Sequence, residues 1–477
     1  MIPSAARQRL VDTVGPKGFL DKPEDLRLYE YDGGVDKARP ELVLFPKSAQ
    51  EVSSIVQIAA ANKIPLLGRG AGTGLSGGAV ATSGGLVVSF ARMKRILEVD
   101  YDNERAVVEP GVVNLDITAA VQGDGYFFAP DPSSQRACTI GGNVAENAGG
   151  PHTLAYGVTV NHVLGLELVM PDGRIIQTGA GGFDSPGYDL PGLFTGSEGT
   201  LGLVTKVTVR LMRKPEAVKT LLAIYDTEDD CGLTVSEITA RGITPAALEM
   251  LDGTLMRMVE EATHAGYPLD AAGVLLIELE GLTEAVEEQA EKIKAACRAC
   301  RARDVREAKT AAERDLLWKG RKNAFGAVGR VSPFYYVHDG VVPRTQIAPT
   351  LREIGSISKR RGLTISNIFH AGDGNLHPLI LFDARKPGDM QAAQNAGFDI
   401  LEHCIKVGGS ITGEHGIGVE KLALMDKQFR QEALEMMRKI KHMCDASGLM
   451  NPGKLLPARK GCAEITQPPV HKPEDLI

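Results

Sequence analysis

The sequence contains no long apolar run. Its longest apolar stretches, such as residues 86–90 and 379–382, have the length of a strand, whereas a membrane-spanning helix needs about 18 or more consecutive apolar residues. The N-terminal residues have no apolar segment after a basic start. We therefore expect neither a membrane span nor a secretory signal.

Positive charge is also in deficit. There are 53 lysines and arginines against 60 aspartates and glutamates, which gives a net charge of −7 at pH 7. Nucleic-acid binding needs a basic surface, so we expect no nucleic-acid partner. A small anionic substrate remains compatible with this charge, because local cationic groups decide whether such a molecule binds.

Cysteine is sparse, with seven residues scattered along 477 positions. An odd, scattered set does not form a disulfide framework, which favours a reduced, cytoplasmic chain. Cys297 and Cys300 form one C-x-x-C inside a basic amphipathic helix pattern. Two cysteines cannot complete a zinc or iron–sulfur site by themselves, so we expect no cluster in this chain.

Hydrophobic residues make up 43% of the chain and charged residues 24%, which is typical of a folded globular protein. The length of 477 residues predicts more than one domain. Glycine is dense up to about residue 214, and longer helical patterns follow, including predicted helices at 246–262 and 282–303. We therefore expect the following organisation: an N-terminal helix and lead-in over 1–37, a cofactor domain over 38–214, a substrate domain over 215–457 and a polar tail over 458–477.

Gly72, Gly74 and Gly77 match the G-x-G-x-x-G motif of dinucleotide-binding Rossmann folds. That fold requires a helix to open at the third glycine. Here Gly84 and Gly85 would break such a helix, and a strand pattern follows, so a Rossmann site is excluded. The loop can still bind pyrophosphate, because consecutive glycines can turn backbone N–H groups toward one point. A glycine-rich surface turn is the alternative; two further glycine-dense segments, 130–150 and 194–210, argue against it.

SNIFHAGDGNLHPLILF predicts a hairpin with its turn at Asp373-Gly374-Asn375. Pairing of the strands would bring His370 and His377 within reach of one ion, and Glu414 of GEHG could supply a third ligand. Two histidines and a carboxylate with open positions suit catalytic zinc, iron(II) or manganese. The alternative is a surface histidine pair without a metal.

The segment WKGRKNAFGAVGR supplies Arg321 and Arg330, either of whose guanidinium groups could grip a substrate carboxylate; a surface ion pair is the alternative. His415 is a candidate catalytic base, and its alternative is a structural histidine. The glycines around Glu414 and His415 favour the catalytic interpretation, because they allow a bound group to approach the backbone closely.

PLLGRGAGTGLSGGA, PDPSSQRACTIGGNVAENAGG and TGSEGTLGLVT resemble the FAD-binding domain of the vanillyl-alcohol oxidase and para-cresol methylhydroxylase superfamily. The resemblance implies an α+β protein: a two-part α/β FAD-binding domain followed by an α+β substrate domain with an antiparallel sheet. FAD is expected to be non-covalent, because no histidine or cysteine lies in residues 65–79. The FAD contacts expected on this basis are Arg69, Gly70, Ala71, Gly72, Thr73, Gly74, Leu75, Ser76, Gly77, Pro130, Asp131, Gly141, Gly142, Asn143, Asn147, Gly150, Glu198, Gly199, Val204 and Asn451.

The second half resembles the C-terminal domain of FAD-linked oxidases, most nearly the FAD-linked catalytic subunit of bacterial glycolate oxidase. The resemblance implies metal ligation by the two hairpin histidines and Glu414, His415 as base, and Asn375 facing the substrate. It supports Arg321 as the carboxylate clamp. Phe325 stands where the hydroxyglutarate enzymes of the group have a polar residue, which disfavours a second acid group on the substrate.

The expected reaction is FAD-dependent oxidation of a short 2-hydroxy acid, preferably glycolate, to the 2-oxo acid. It would proceed by hydride transfer from C2 to flavin N5 with metal-assisted deprotonation of the hydroxyl. The alternatives are a stand-alone D-lactate dehydrogenase, a metal hydrolase and a non-catalytic flavin-binding subunit. The resemblance also implies iron–sulfur and second flavin-domain partner subunits, through which a cytoplasmic chain could lie at the inner membrane.

Overall fold

The computed structural model describes residues 1–179 and 187–458 of the chain. Of the tail predicted for 458–477, everything beyond Ala458 lies outside the described residues. Among the helices that are described, none is long and apolar enough to cross a membrane.

Two compact units make up the chain. The first comprises Met1–Gly149, Gly157–Lys214 and the described residues from Glu414 onward, and the second comprises Gly150–Tyr156 and Pro215–Gly413. The change of unit at Pro215 lies where the sequence pattern changes. The segment after Gly413, by contrast, packs with the glycine-rich half, although the sequence pattern assigned it to the substrate domain.

Helices and strands alternate along both units. The helices are α1 (Ser4–Val14), α2 (Pro23–Leu26), α3 (Ala49–Ala61), α4 (Asn114–Val121), α5 (Ile140–Glu146), α6 (Thr153–Tyr156), α7 (Leu190–Phe194), α8 (Glu228–Ala240), α9 (Gly253–Thr263), α10 (Thr283–Ala299), α11 (Ala311–Lys322), α12 (Ala324–Val331), α13 (Ile347–Arg361), α14 (Asp389–Lys406), α15 (Met425–Gln428) and α16 (Gln431–Cys444). The strands are β1 (Phe19–Leu20), β2 (Leu42–Leu44), β3 (Leu66–Arg69), β4 (Leu86–Ser89), β5 (Ile96–Asp100), β6 (Arg105–Val108), β7 (Tyr126–Phe127), β8 (Val163–Val169), β9 (Ile175–Thr178), β10 (Leu203–Arg210), β11 (Met212–Arg213), β12 (Ala217–Tyr225), β13 (Ala247–Asp252), β14 (Gly273–Gly281), β15 (Asp304–Glu307), β16 (Phe334–Val337), β17 (Gly340–Val341), β18 (Thr364–His370) and β19 (Asn375–Phe382).

A small sheet of order β1-β2-β4-β3 begins the first unit, and β2, β3 and β4 run parallel. Strands β2 and β4 are buried along their whole length, as parallel strands covered on both faces are. Helix α3 begins at an N-cap, where the Ser48 side chain accepts from Glu51 N, and it buries Val52, Ile55 and Val56. Between β3 and β4 the chain makes turns and bends without a helix, which confirms that the glycine motif does not open a Rossmann helix.

The first unit also contains a five-stranded antiparallel sheet of order β5-β6-β10-β8-β9. Strand β10 alternates buried and half-buried positions, the period-two pattern of a strand with one better-covered face. Helices α4 and α5 pack their apolar residues Ile117 and Ile140 into the same core as Val207. This packing sets the glycine-rich α5 beside the sheet.

The second unit is built on an eight-stranded sheet of order β15-β12-β14-β13-β18-β19-β16, with β17 also paired to β19, and every pairing is antiparallel. Strands β13 and β19 are buried at every position, so helices and loops cover both faces of the central strands. The predicted antiparallel sheet of the substrate domain is thereby confirmed.

One predicted element is wrong in part. The helix expected over 246–262 is two elements, because Ala247–Asp252 forms the buried strand β13 and α9 begins only at Gly253. The Asp252 side chain accepts from Leu255 N and caps the helix. Apolar residues are dense on both sides of this cap, so the sequence has the spacing of one continuous helix across it. The error matters because β13 carries a glutamate of the candidate site.

Candidate active site

The two histidines of the predicted hairpin lie on adjacent strands of the antiparallel sheet. His370 ends β18 and is paired with Asn375, while His377 is paired with Ile368. The histidines are therefore diagonal neighbours rather than directly opposed, and they share one face because strand residues alternate. Their ring centroids lie 5.0 Å apart, with an interplanar angle of 88°, and both side chains are buried.

The turn of this hairpin depends on a glycine. Gly374 has φ +73°, and a Cβ there would overlap the carbonyl oxygen of Val342. Only glycine accepts both the left-handed backbone and the close approach without strain. The predicted turn is confirmed for Asp373 and Gly374, since the turn covers residues 371–374, whereas Asn375 already begins β19. This short connection brings the histidines together.

Hydrogen bonds at Nδ1 orient both imidazoles. Nδ1 of His370 lies 2.8 Å from Oε1 of Glu249, and Nδ1 of His377 lies 3.2 Å from the carbonyl oxygen of His338. A carbonyl oxygen only accepts, so Nδ1 of His377 carries the proton and Nε2 carries the lone pair. The carboxylate imposes the same tautomer on His370. Histidines held in this way are typical of metal ligands.

Glu249 is a site residue that the sequence did not reveal. It lies on β13, is fully buried, and its Oε2 accepts from Nε of Arg321 at 2.7 Å. Burial opposes its ionisation, but the charge of Arg321 and the hydrogen bonds from Arg321 and His370 prevail and lower the pKa of Glu249. Glu249 is thus a carboxylate that joins an arginine to a candidate ligand.

Arg321 is buried and faces this carboxylate. Its Nη2 lies 2.5 Å from Oε2 of Glu249, so the Nε–Nη2 edge of the guanidinium is already engaged. The sequence suggested that Arg321 grips a substrate carboxylate with two parallel hydrogen bonds. In the structure the partner of that edge is a protein carboxylate instead, and Nη1 lies outside this pair.

Asn375 lies at the start of β19, buried and paired with His370. A Cβ placed on Gly413 would lie 2.7 Å from Cγ of Asn375, so the backbone of the glycine before GEHG's glutamate packs on this amide. Oδ1 of Asn375 accepts no hydrogen bond within the described part of the chain. It is therefore a buried acceptor that a bound molecule could satisfy.

Glu414 and His415 belong to the first unit, and Nε2 of His415 lies 3.5 Å from Oε1 of Glu414. The glycines after them serve protein contacts. A Cβ on Gly416 would overlap the carboxylate of Glu146. A Cβ on Gly418 would overlap the carbonyl oxygen of Ser76. The expected reason for these glycines, close approach of a bound group, is therefore replaced by tight packing of the turn.

The glycine-rich loop after β3 lies beside the start of α5. A Cβ on Gly70 would overlap Oγ1 of Thr139, whereas a Cβ on Gly74 would meet nothing within 4 Å. The hydroxyls of Ser76 and Thr139 are buried and have no hydrogen-bond partner among the described residues. The open position at Gly74 and the two unsatisfied buried hydroxyls fit a bound group that carries many hydrogen-bonding oxygens, as the pyrophosphate of FAD does.

Several residues expected to touch FAD are engaged by protein groups. Arg69 is buried, and its guanidinium donates to the carbonyl oxygens of Ala79 and Tyr31 rather than lying at the rim of the loop. The Glu198 carboxylate accepts from the backbone N–H groups of Ile417 and Gly418.

Two amides among the expected contacts are also engaged. Asn143 accepts from Asn114, and Nδ2 of Asn451 donates to the carbonyl oxygens of Gly78 and Glu198. These bonds assemble the loops. FAD contacts by the predicted residues remain a prediction.

The two hairpin histidines suit the binding of a divalent metal. His370 and His377 offer two Nε2 atoms whose tautomers are set by Glu249 and a backbone carbonyl, and divalent zinc, iron and manganese all accept imidazole nitrogen. A third, carboxylate ligand from Glu414 remains a prediction.

The sequence matches two protein-family models. The model described as "FAD binding domain" matches residues 40–179, and the model described as "FAD linked oxidases, C-terminal domain" matches residues 214–455. Together they span both units.

Relatives at high identity cover nearly the whole chain. The glycolate oxidase subunit GlcD of Escherichia coli K12 is 47% identical over 454 residues, 95% of this chain and 91% of that protein. The protein of the same name from Bacillus subtilis is 41% identical, with 95% and 97% covered. A D-lactate dehydrogenase of Archaeoglobus fulgidus is 36% identical, with 87% and 91% covered.

Among solved structures, p-cresol methylhydroxylase with substrate bound is similar, with a TM-score of 0.79, 18% identity, and 95% of this chain and 96% of that chain covered. The fold is therefore of the vanillyl-alcohol oxidase type, as the sequence predicted.

Proposed function

Because the chain belongs to the FAD-linked oxidase family, we propose that it oxidises a short 2-hydroxy acid, glycolate ahead of D-lactate, to the corresponding 2-oxo acid. The observation that carries this proposal is the histidine pair whose Nδ1 atoms are held by Glu249 and by the His338 carbonyl. With Nδ1 of each ring held in this way, Nε2 is the atom that each histidine would use to bind a metal, and a flavin-binding partner subunit without chemistry would not need such a pair.

One observation supports glycolate, and a second supports a substrate with a single carboxylate. The relatives with greater identity are glycolate oxidase subunits, and the D-lactate dehydrogenases share less. Phe325 stacks on Tyr335 with ring centroids 6.4 Å apart. The position four residues after Arg321, where a diacid enzyme would offer a polar group, is therefore apolar here. We propose a monocarboxylate substrate.

We propose that His370, His377 and Glu414 hold a divalent metal, zinc first and iron or manganese next. Glu414 is covalently next to Gly413, and the backbone of Gly413 packs on Asn375, the residue paired with His370. This connection supports Glu414 as the third ligand. Three protein ligands leave open positions, the mark of a catalytic set.

In this proposal His415 accepts the proton of the substrate hydroxyl as the C2–H bond breaks, and Asn375 offers its amide to the substrate. Arg321 keeps its Nε–Nη2 edge on Glu249 and presents Nη1 to the substrate carboxylate. When bound, FAD supplies the acceptor for the hydrogen on C2, and the metal supplies a Lewis acid for the hydroxyl. The products are the 2-oxo acid and reduced flavin.

We propose that FAD is held without a covalent bond, since residues 65–79 contain neither histidine nor cysteine. Acid precipitation of the purified protein should release all of the yellow colour into the supernatant. Colour that stays with the precipitate would contradict this point.

Anaerobic bleaching tests the function itself. The purified protein is mixed without oxygen with glycolate, D-lactate, L-lactate and D-2-hydroxyglutarate, with and without a chelator, and flavin absorbance is followed. We expect glycolate to bleach the flavin with the largest second-order rate constant and the chelator to slow it. A colourless protein would exclude the flavin enzyme and leave the metal hydrolase. A bleaching rate that the chelator does not change would contradict the role of the metal.

D-lactate is the second candidate, because several relatives are D-lactate dehydrogenases that cover most of this chain. The two candidates differ in kcat/KM. A kcat/KM for D-lactate above that for glycolate would show that the protein is a D-lactate dehydrogenase.

We also propose that electrons leave through partner subunits, including one with iron–sulfur clusters, because two relatives are named as subunits of glycolate oxidase and the two C-x-x-C cysteines alone cannot hold a cluster. The chain would then lie in the cytoplasm, at the inner membrane through its partners. Affinity purification from the native host under mild conditions should recover such a subunit, and fractionation should show where it resides.

A further inference from the structure

Asp339 lies between strands β16 and β17 of the second unit and is fully buried. Its carboxylate accepts from Oγ1 of Thr412 at 2.5 Å, and both of its oxygens lie 3.0 Å from the backbone nitrogen of Gly413. Nothing in the VHDGVV sequence around Asp339 signals this role, since the contacts join residues more than 70 positions apart.

The segment that leads to Gly413 is fastened to β17 by the backbone. Val341 N donates to Ser410 O at 2.8 Å, and Ser410 N donates to Val341 O at 3.0 Å. A Cβ on Gly409 would overlap the Val341 carbonyl oxygen, so the backbone at Gly409 lies in close contact with β17. Residues 409–413 therefore form a short strap whose last peptide is bound by Asp339.

The strap ends at the histidine hairpin. The Gly413 backbone packs on Asn375, which is paired with His370. The residue before Asp339 supplies the carbonyl that orients His377. The dipeptide His338-Asp339 thus touches the candidate centre twice, once at the ring of His377 and once at the backbone N–H of Gly413, the residue before Glu414.

We propose that Asp339 is a positioning residue for the metal centre: by binding Thr412 and Gly413 it fixes the main chain from which Glu414 follows. The inference rests on the proposed function, in which Glu414 is a ligand. Hydrogen bonds to a buried carboxylate are strong and directional, so they can hold the peptide in the one orientation from which the next side chain reaches the ion. Partners of this kind affect metal affinity by about 10–100-fold.

The test measures Zn²⁺ affinity on the FAD-loaded, metal-stripped protein by competition with a chromophoric chelator. The variants are Asp339→Asn, Thr412→Val and Glu414→Gln. Asp252→Asn is the matched control, because Asp252 is also a buried carboxylate that accepts from backbone N–H groups, those of Leu255 and Asn367. Flavin absorbance and thermal unfolding report folding of each variant.

We expect Asp339→Asn to bind Zn²⁺ about 10–100-fold more weakly, Thr412→Val to weaken it in the same direction by less, and Asp252→Asn to bind as the wild type does. Saturating Zn²⁺ should restore most of the turnover of Asp339→Asn, because the ligand itself is intact. If Asp339→Asn fails to fold, Thr412→Val alone decides, since it removes one bond to the same carboxylate.

The outcomes separate the two ideas. The positioning role is overturned, and the ligand set is kept, if Glu414→Gln binds Zn²⁺ more weakly while Asp339→Asn binds it as the wild type does. Where Asp339→Asn does not fold, Thr412→Val takes its place in this comparison. Unchanged affinity in Glu414→Gln overturns the ligand set and the inference with it. Weakened affinity in Asp339→Asn that saturating Zn²⁺ cannot rescue, with Thr412→Val unaffected, identifies Asp339 as a ligand in its own right and overturns positioning.

Discussion

The imidazole of His370 is held by the carboxylate of Glu249, with Nδ1 only 2.8 Å from Oε1. The same carboxylate pairs with Arg321, and all three side chains are buried. One carboxylate therefore has two tasks: it neutralises a buried arginine, and it sets the tautomer of a candidate metal ligand. These tasks can be separated by substitution.

The first prediction concerns this pair. Glu249→Leu leaves Arg321 buried without its partner and should lower the free energy of unfolding by about 3–5 kcal/mol, whereas the double variant Glu249→Leu/Arg321→Met should be near wild-type stability. The double variant should still bind Zn²⁺ about 10–100-fold more weakly, because Nδ1 of His370 has lost its acceptor. Urea denaturation and zinc titration measure the two effects. Wild-type zinc affinity in the double variant would show that Glu249 does not orient the ligand.

The second prediction concerns the hairpin turn. Gly374→Ala places a Cβ against the Val342 carbonyl in a left-handed backbone. Gly362→Ala is the matched control, since Gly362 also has positive φ but nothing lies within 4 Å of its Cβ position. The control should cost about 1 kcal/mol, and Gly374→Ala should cost a further 1–3 kcal/mol from overpacking. Equal losses in thermal unfolding would show that the contact with Val342 relaxes freely.

The third prediction concerns Glu278 on β14, which accepts hydrogen bonds from Thr220, Arg314 and the only tryptophan, Trp318. Burial opposes its ionisation, yet bonds from His152 and Arg314 lower the pKa of Glu278 far below its ordinary value. Glu278→Leu should therefore lower the free energy of unfolding by about 3 kcal/mol.

The measurement is the emission of that single tryptophan during denaturation. Glu280→Gln is the control, because Glu280 is half-buried and has Tyr156 as a hydrogen-bond donor; it should cost about 1 kcal/mol or less. A control as destabilised as Glu278→Leu would refute the anchoring role of Glu278.

The fourth prediction is a pH dependence of stability. Burial raises the pKa of Asp252 from 3.8 to about 6, although backbone hydrogen bonds from Leu255 and Asn367 oppose the shift. Between about pH 4 and 6 the native state therefore binds the proton that the unfolded state has lost, so this group makes stability fall as pH rises. The fall should amount to about 2–3 kcal/mol.

Chemical denaturation of the wild type and of Asp252→Asn from pH 4 to 7 isolates this group as a difference. From pH 4 to about pH 6 the unfolding free energy of the wild type should fall relative to that of Asp252→Asn. Above about pH 6 the difference between the two should stay constant. A difference that is constant with pH would contradict the raised pKa.

The fifth prediction concerns His415. Replacing the proposed base in His415→Asn should lower kcat by about 10²–10⁴-fold and leave zinc affinity near wild type. The acid limb of the wild-type pH–rate profile, where a protonated imidazole can no longer accept the hydroxyl proton, should disappear with it. His442→Asn, an exposed histidine on α16 of the same unit, is the control. An unchanged rate and profile in His415→Asn would exclude His415 as the base.

The sequence by itself determined the family, the glycine-rich FAD domain and the hairpin that carries His370 and His377. These features are local: glycine spacing, turn chemistry and strand periodicity are all contained in short windows of the chain. The same local signals excluded a Rossmann helix after Gly77, and the structure confirms this with a run of turns leading into β4.

Only the tertiary structure decided what surrounds the histidines. Glu249 is 121 residues from His370 in the chain, and the helical period read across 246–262 concealed the strand that carries it. Arg321 as a clamp for the substrate carboxylate stays a prediction. The structure adds its pairing with Glu249, because a buried charge needs a partner of opposite sign and β13 brings this carboxylate to it. Asp339 and the strap that it holds arise from strand pairing between distant segments, and no residue spacing encodes such pairing.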